Sequence, residues 1–122
     1  MSASHCYVNG QIMLTANASI SINDLGFQRG YGVFDFARVV NGKLFHIEKH
    51  LARLRHSAAS LNLELPLSDP AITSIAYQII DLSNFENACI RIQLTGGLSS
   101  GFPFNEPTLV MIAEDLLSLI HI

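Results

Sequence analysis

Residues 24–55 read DLGFQRGYGVFDFARVVNGKLFHIEKHLARLR, and the punctuation of this stretch decides the fold. Gly26, Gly30 and Gly32 mark a loop that runs into an alternating segment, 33–40. In a strand, Phe34, Phe36, Arg38 and Val40 share one face, and Val33, Asp35, Ala37 and Val39 share the other. Asn41-Gly42 suits a type I′ turn, whose two central residues both need positive φ. The chain therefore doubles back along 43–46 as a hairpin. Ile47, Leu51, Leu54, Ala58 and Leu61 then recur at helical spacing and predict a helix over 47–61 with one apolar stripe. His50, Arg53 and Ser57 form a polar row beside that stripe.

Working outward, residues 5–22 read as two strands around Asn9-Gly10, a second type I′ signal. Pro66 and Pro70 interrupt the pattern after the first helix. Asp69 as N-cap with Pro70 in the first turn predicts a second helix, with Ile72, Ile75, Ile79 and Leu82 on its core face. From Cys89 to Thr95 the chain alternates again, Ile90, Ile92 and Leu94 against Arg91, Gln93 and Thr95, until Gly96-Gly97 breaks the strand. Residues 98–107 read as a loop, and 108–113 as a continuous apolar strand buried on both faces. Strands, then helices, then strands argue an α+β fold: one mostly antiparallel sheet with two helices packed on it.

The bulk properties narrow the function. The 122 residues hold one domain, or half of a two-domain protein. The composition is 49% apolar and only 14% charged, so some apolar surface awaits a partner. A net charge of -3 without a basic cluster speaks against nucleic-acid binding. Cys6 and Cys89 stand apart from any metal-ligand spacing and read as buried small residues of a reducing compartment. Residues 1–5 carry no signal pattern, and no apolar run approaches the ~20 residues that span a bilayer. These features predict a cytoplasmic protein that is not inserted in a membrane.

Some chemistry-bearing patterns fail on context. His46 and His50 have the i, i+4 spacing of helical metal ligands but no evident third ligand. Gly30-x-Gly32 precedes a strand rather than a helix, so it is not a nucleotide-binding glycine loop. No nucleophile-elbow sequence occurs.

Asp24-x-Gly26, Gly30-x-Gly32-Val33-Phe34, Asn41-Gly42 and His50-x-x-Arg53-Leu54, in this register, closely resemble the signature of the class IV, fold-type IV, pyridoxal-phosphate aminotransferases. That family includes branched-chain and D-amino-acid aminotransferases, (R)-amine transaminases and aminodeoxychorismate lyase. The resemblance covers roughly residues 7–115. Asp35 stands where the family has glutamate, and Leu25 where arginine is commoner.

The resemblance implies the fold of the family's small N-terminal domain over 1–116 and pyridoxal 5′-phosphate as cofactor. It assigns Arg53 to the cofactor phosphate, a role that suits a permanently charged guanidinium fork. Phe34, Phe36 and Arg38 match positions that line the substrate pocket, although Phe36 stands where a small or aliphatic side chain is usual. The better-known D-amino-acid enzymes carry an Arg-x-His pair after the strand that ends at Thr95. Here that stretch, 98–105, has neither residue, and Arg29 with Arg91 are the candidates to hold the substrate carboxylate instead.

The family's Schiff-base lysine, its pyridine-nitrogen glutamate and its second phosphate loop lie beyond residue 122, so no catalytic residue is assigned here. Lys43 and Lys49 belong to the hairpin and the helix start and are not that lysine. Residues 117–122, Leu-Ser-Leu-Ile-His-Ile, back-translate to a sequencing-adapter sequence and are read as an artefact, with a C-terminal large domain missing. The whole enzyme is then expected to be a homodimer that exchanges an amino group between an amino acid, branched-chain or D-, and a 2-keto acid. The alternatives are an aminodeoxychorismate lyase-like enzyme and a non-catalytic domain that binds a small ligand or a partner.

Overall fold

The structure is a computed structural model and describes residues 1–98 and 106–117. Two hairpins frame it. β1 (His5–Val8) and β2 (Gln11–Leu14) pair across Asn9-Gly10. β3 (Gly32–Val40) and β4 (Lys43–Leu44) pair across Asn41-Gly42. All four turn residues take positive φ, as the type I′ geometry demands. β5 (Ala88–Leu98) and β6 (Glu106–Asp115) complete a six-stranded sheet in the order β2-β1-β6-β5-β3-β4. Every pairing in it is antiparallel.

Between the β3–β4 hairpin and β5 lie two long helices, α2 (Ile47–Ser60) and α3 (Asp69–Ser83). α2 buries Ile47, Leu51, Leu54 and Ala58, the predicted stripe, with Leu61 half-buried just beyond its end. The core joins these residues to Ala37 of β3, Ile90, Ile92 and Leu94 of β5, and Leu109, Met111 and Ala113 of β6. One face of the sheet is thus sealed by helices. Each fully buried Leu or Ile there contributes roughly 1.5–3 kcal/mol relative to exposure.

Several local expectations need correcting. The loop before β3 contains a short helix, α1 (Leu25–Arg29), capped by the Asp24 carboxylate and ended by Gly30 in the left-handed region. Five residues, with Gly26 among them and Gly30 at their end, are too few for periodicity to reveal. β2 stops at Leu14 and a 3-10 turn (Thr15–Asn17) follows, so the second strand does not extend to residue 22. Ser68, not Asp69, caps α3, its side chain accepting from the Ala71 amide. The buried stripe of α3 is Ile72, Ala76, Ile79, Ile80 and Ser83, with Leu82 exposed. A stripe built from the large aliphatics alone passes over Ala76 and Ser83, both fully buried.

Gly96-Gly97 does not end β5. The strand continues to Leu98 through a shift in register after Thr95. Gly97 has φ +70° and lies against the Glu106 carbonyl, where a side chain would collide with backbone. In β6, Leu109, Met111 and Ala113 are buried whereas Val110 and Ile112 are only half-buried, so the strand is not sealed on both faces. The expected loop over 98–107 falls mostly on residues outside those described.

Asp24 ties these parts together. It is 2% exposed; its Oδ1 accepts from the Gly26 amide and its Oδ2 from the Thr108 hydroxyl, both at 2.8 Å. Asp24→Ala leaves a helix-start amide and a buried hydroxyl without their acceptor. Urea denaturation should show a loss of about 1–3 kcal/mol, far beyond the effect of an exposed control such as Asn23→Ala.

Candidate functional site

Two clusters of side chains occupy opposite faces of β3 and β5. On the helix-covered face, Asp35 projects from β3 beneath α2, its side chain 5% exposed. Arg53 grips it side-on: Nε donates to Oδ2 at 2.7 Å and Nη2 to Oδ1 at 2.8 Å. The Phe36 amide donates to Oδ1 at 2.8 Å, and His50 Nδ1 lies 2.7 Å from the same oxygen. A carboxylate only accepts, so His50 Nδ1 carries the proton. The 3.3 Å approach of Arg53 Nη2 to that same Nδ1 is therefore a contact and not a second hydrogen bond.

Helix spacing explains the geometry. His50 and Arg53, three residues apart, stand as neighbours on the flank of α2 that faces β3. Burial alone would push the Asp35 carboxyl up. The Arg53 hydrogen bonds, the Phe36 amide and His50 outweigh it and hold the carboxyl at about 2. The hydrogen bonds to Asp35, and then its charge, raise Arg53 above its ordinary value. Most of the Arg53 side chain nevertheless remains exposed, at 66%, and Nη1 enters no hydrogen bond with a described residue.

The helix-free face carries the second cluster. Phe36 pairs directly across from Arg91 of β5, and Phe34 across from Gln93. The Arg91 guanidinium lies 5.3 Å from the Phe34 ring centroid and 5.6 Å from that of Phe36, within cation–π range of both. Its Nε donates to Glu114 Oε1 at 2.8 Å. Phe34 is 58% exposed, an unusual state for a phenylalanine in the middle of a sheet. Arg38 is exposed on the same face, opposite Cys89. Burial, then the Glu114 carboxylate, pushes the Cys89 thiol up to about 11, which makes it a poor nucleophile.

Of the residues singled out from the sequence, the fold brings Phe34, Phe36, Arg38 and Arg91 onto one face. Arg53 lies on the other face, beyond β3. Arg29 sits exposed in the last turn of α1 and takes part in none of the ion pairs among the described residues. His46 takes a left-handed conformation at the start of α2, its ring tilted against that of Phe45 with centroids 4.1 Å apart, while His50 turns to Asp35.

Residues 32–119 match the sequence profile of the family Amino-transferase class IV. The chain belongs to the class IV aminotransferases. The D-alanine aminotransferase of Staphylococcus aureus strain N315 is 31% identical over 110 residues, which cover 88% of this chain and 39% of the relative. A putative branched-chain-amino-acid aminotransferase of Methanocaldococcus jannaschii is 32% identical over 92 residues, covering 75% and 32%. A solved structure titled a hypothetical aminotransferase from Mycobacterium tuberculosis, in its PLP-bound form, shares the fold. It aligns with a TM-score of 0.81 at 23% identity, over 96% of this chain and 41% of that one. The chain thus spans about two fifths of the length of the S. aureus relative.

Within this class IV chain, partners that the sequence left unassigned stand out. Asp35 and His50 immobilise Arg53, and Glu114 holds Arg91. A signal existed for Asp35: an acidic residue on the core-facing side of an apolar strand needs a buried cation or several donors. Glu114 lay one residue past the strand read as 108–113, on the face that Val110 and Ile112 already defined.

The Asp35 carboxyl sets an acid dependence whose sign follows from linkage. Its folded pKa, about 2, lies below its ordinary 3.8, so folding favours the charged form. That contribution is complete above about pH 4 and is lost as pH falls through about 2. Asp35→Asn should lower stability at pH 7. The gap between wild type and variant should shrink between pH 4 and pH 2, as followed by thermal unfolding. A gap independent of pH would contradict the ionised form of Asp35.

Proposed function

We propose that this chain is the small domain of a longer pyridoxal-phosphate aminotransferase, which exchanges an amino group between an amino acid, D- or branched-chain, and a 2-keto acid. Membership of the class IV family and the length shared with longer relatives support the reading. The observation that carries it is the state of Arg53. One edge of the guanidinium is locked by Asp35, the side chain is 66% exposed, and Nη1 donates to no described residue. A cation held rigidly on one side and open on the other fits a phosphate.

Pyridoxal phosphate, when bound, supplies the electron sink for the amino-group exchange. The residues of this chain would orient and select. Arg53 would hold the phosphate, with Asp35 and His50 fixing its plane, and no side chain would have to be ordered at the moment of binding. On the far side of β3, Phe34 and Phe36 would pack the apolar part of the substrate. Arg91, with Arg38 and Arg29 as further candidates, would take its carboxylate. The remaining parts of the reading are a homodimeric state, cytoplasmic location, and a large domain that carries the reactive lysine. Among the described residues no helix is long and apolar enough to cross a membrane.

Two measurements test this. In the full-length enzyme, Arg53→Ala should weaken pyridoxal phosphate binding by about ten- to a hundred-fold, and Arg53→Lys should recover only part, because a point charge cannot match the fork. Equal cofactor affinity in wild type and Arg53→Ala, by titration, would refute the phosphate role. A protein made of these 122 residues alone should neither transaminate nor, after borohydride treatment, carry a stoichiometric phosphopyridoxyl group on Lys43 or Lys49, its two lysines. An adduct together with turnover would sink that claim.

A further inference from the structure

Of the three arginine–carboxylate pairs among the described residues, Arg53–Asp35, Arg55–Asp69 and Arg91–Glu114, the first and the last bury their carboxylate most, and they are built differently. Arg53 meets Asp35 side-on through two nitrogens, and Asp35 uses both of its oxygens. Arg91 meets Glu114 through Nε alone. Glu114 Oε2 is buried without a hydrogen-bond partner among the described residues, although the Glu114 side chain as a whole is 17% exposed. A pair serving stability alone would close the second bond, because a buried carboxylate oxygen without a donor is costly. Here that bond is left open, and neither Nη of Arg91 donates to a described residue. The Nη1–Nη2 edge is the part of a guanidinium that matches an incoming carboxylate fork to fork.

The surroundings fix the guanidinium further. Phe36 lies directly across from Arg91, Ile112 directly across on the other side, and Phe34 one step along the same face. Both phenyl rings lie within 6 Å of the guanidinium carbon. Glu114 itself is anchored: it pairs with Cys89, whose thiol donates to the Glu114 carbonyl oxygen at 3.4 Å.

We infer that Glu114 is a positioning residue for substrate recognition: by accepting from Arg91 Nε, it holds the guanidinium between Phe34 and Phe36 with its Nη edge free for the substrate carboxylate. This rests on the proposed substrate role of Arg91. The obvious alternative is that Glu114 acts as a countercharge that weakens Arg91 toward anions. The two differ in sign and in which substitution matters. Positioning needs an acceptor at the right reach, whereas a countercharge needs only the charge.

The test is steady-state kinetics of the full-length enzyme with an amino acid and a keto acid, together with competitive inhibition by propionate as an unreactive carboxylate. Unfolding temperature and cofactor content are recorded for every variant. Glu114→Gln keeps an acceptor at the same reach and should leave KM and the propionate inhibition constant within about three-fold. Glu114→Asp keeps the charge but draws the carboxylate back from Nε. It and Glu114→Ala should raise both constants about ten-fold, with kcat changed much less. In an Arg91→Leu background, itself raised in KM, Glu114→Ala should add nothing further.

The inference is overturned if Glu114→Asp behaves as wild type while Glu114→Gln does not. It is equally overturned if Glu114→Ala lowers KM or leaves it unchanged, or if its effect persists without Arg91. Should Glu114→Ala fail to fold, the contrast between Asp and Gln decides alone. If Arg91→Leu leaves KM and propionate inhibition unchanged, the carboxylate role of Arg91 fails first, and the inference falls with it.

Discussion

The Asp35 carboxylate is buried beneath α2 and receives four hydrogen bonds: one from the Phe36 amide, one from His50 and two from Arg53. A lone carboxylate at that position would be strongly disfavoured, and in this fold it is satisfied only when α2 presents its His50–Arg53 flank to β3. The rotation of α2 about its axis is therefore fixed twice. Ile47, Leu51 and Leu54 must enter the core, and His50 and Arg53 must meet Asp35. Both conditions select the same orientation, an agreement between packing and polar satisfaction that defines a single native arrangement.

From this junction the sheet acquires two unlike faces. The helices seal the side of Ala37, Ile90, Ile92, Leu109 and Met111. The other side keeps Phe34 exposed, Val110 and Ile112 half-buried, and the Arg91–Glu114 pair within a mostly apolar setting. In β3, adjacent residues serve opposite faces, so Asp35 reaches the arginine proposed for the phosphate while Phe34 and Phe36 look toward the proposed substrate side. One strand thus links the two halves of the proposed site, with only the thickness of the backbone between them.

The loops of the domain are shaped by close approach more than by composition. Gly97 continues β5 through a register shift against the Glu106 carbonyl, and a Cβ on Gly96 would meet the Tyr31 ring. Asp24 reaches across 84 residues of sequence to Thr108 and fixes α1 against the end of the sheet. Read along the chain, these glycines look like strand breakers and Asp24 like a turn residue. Their actual roles depend on partners brought near only by the folded topology.

Periodicity and turn chemistry together determined the α+β class, both Asn-Gly hairpins, the stripe of α2 and the division of β3 into two faces, since each depends on neighbours within a few residues. The motif register around Arg53 likewise pointed to the family. The partners of the charged residues were not legible: Asp35 with His50 and Arg53, Glu114 with Arg91, Asp24 with Thr108 are separated by 15 to 84 positions. Nor could the sequence say that β5 runs on through two glycines. Local pattern records how a residue sits on its own helix or strand. Only the packing of α2 on β3 and the pairing of β5 with β6 decided which charges met, because a buried charge takes whatever partner the whole fold delivers to it.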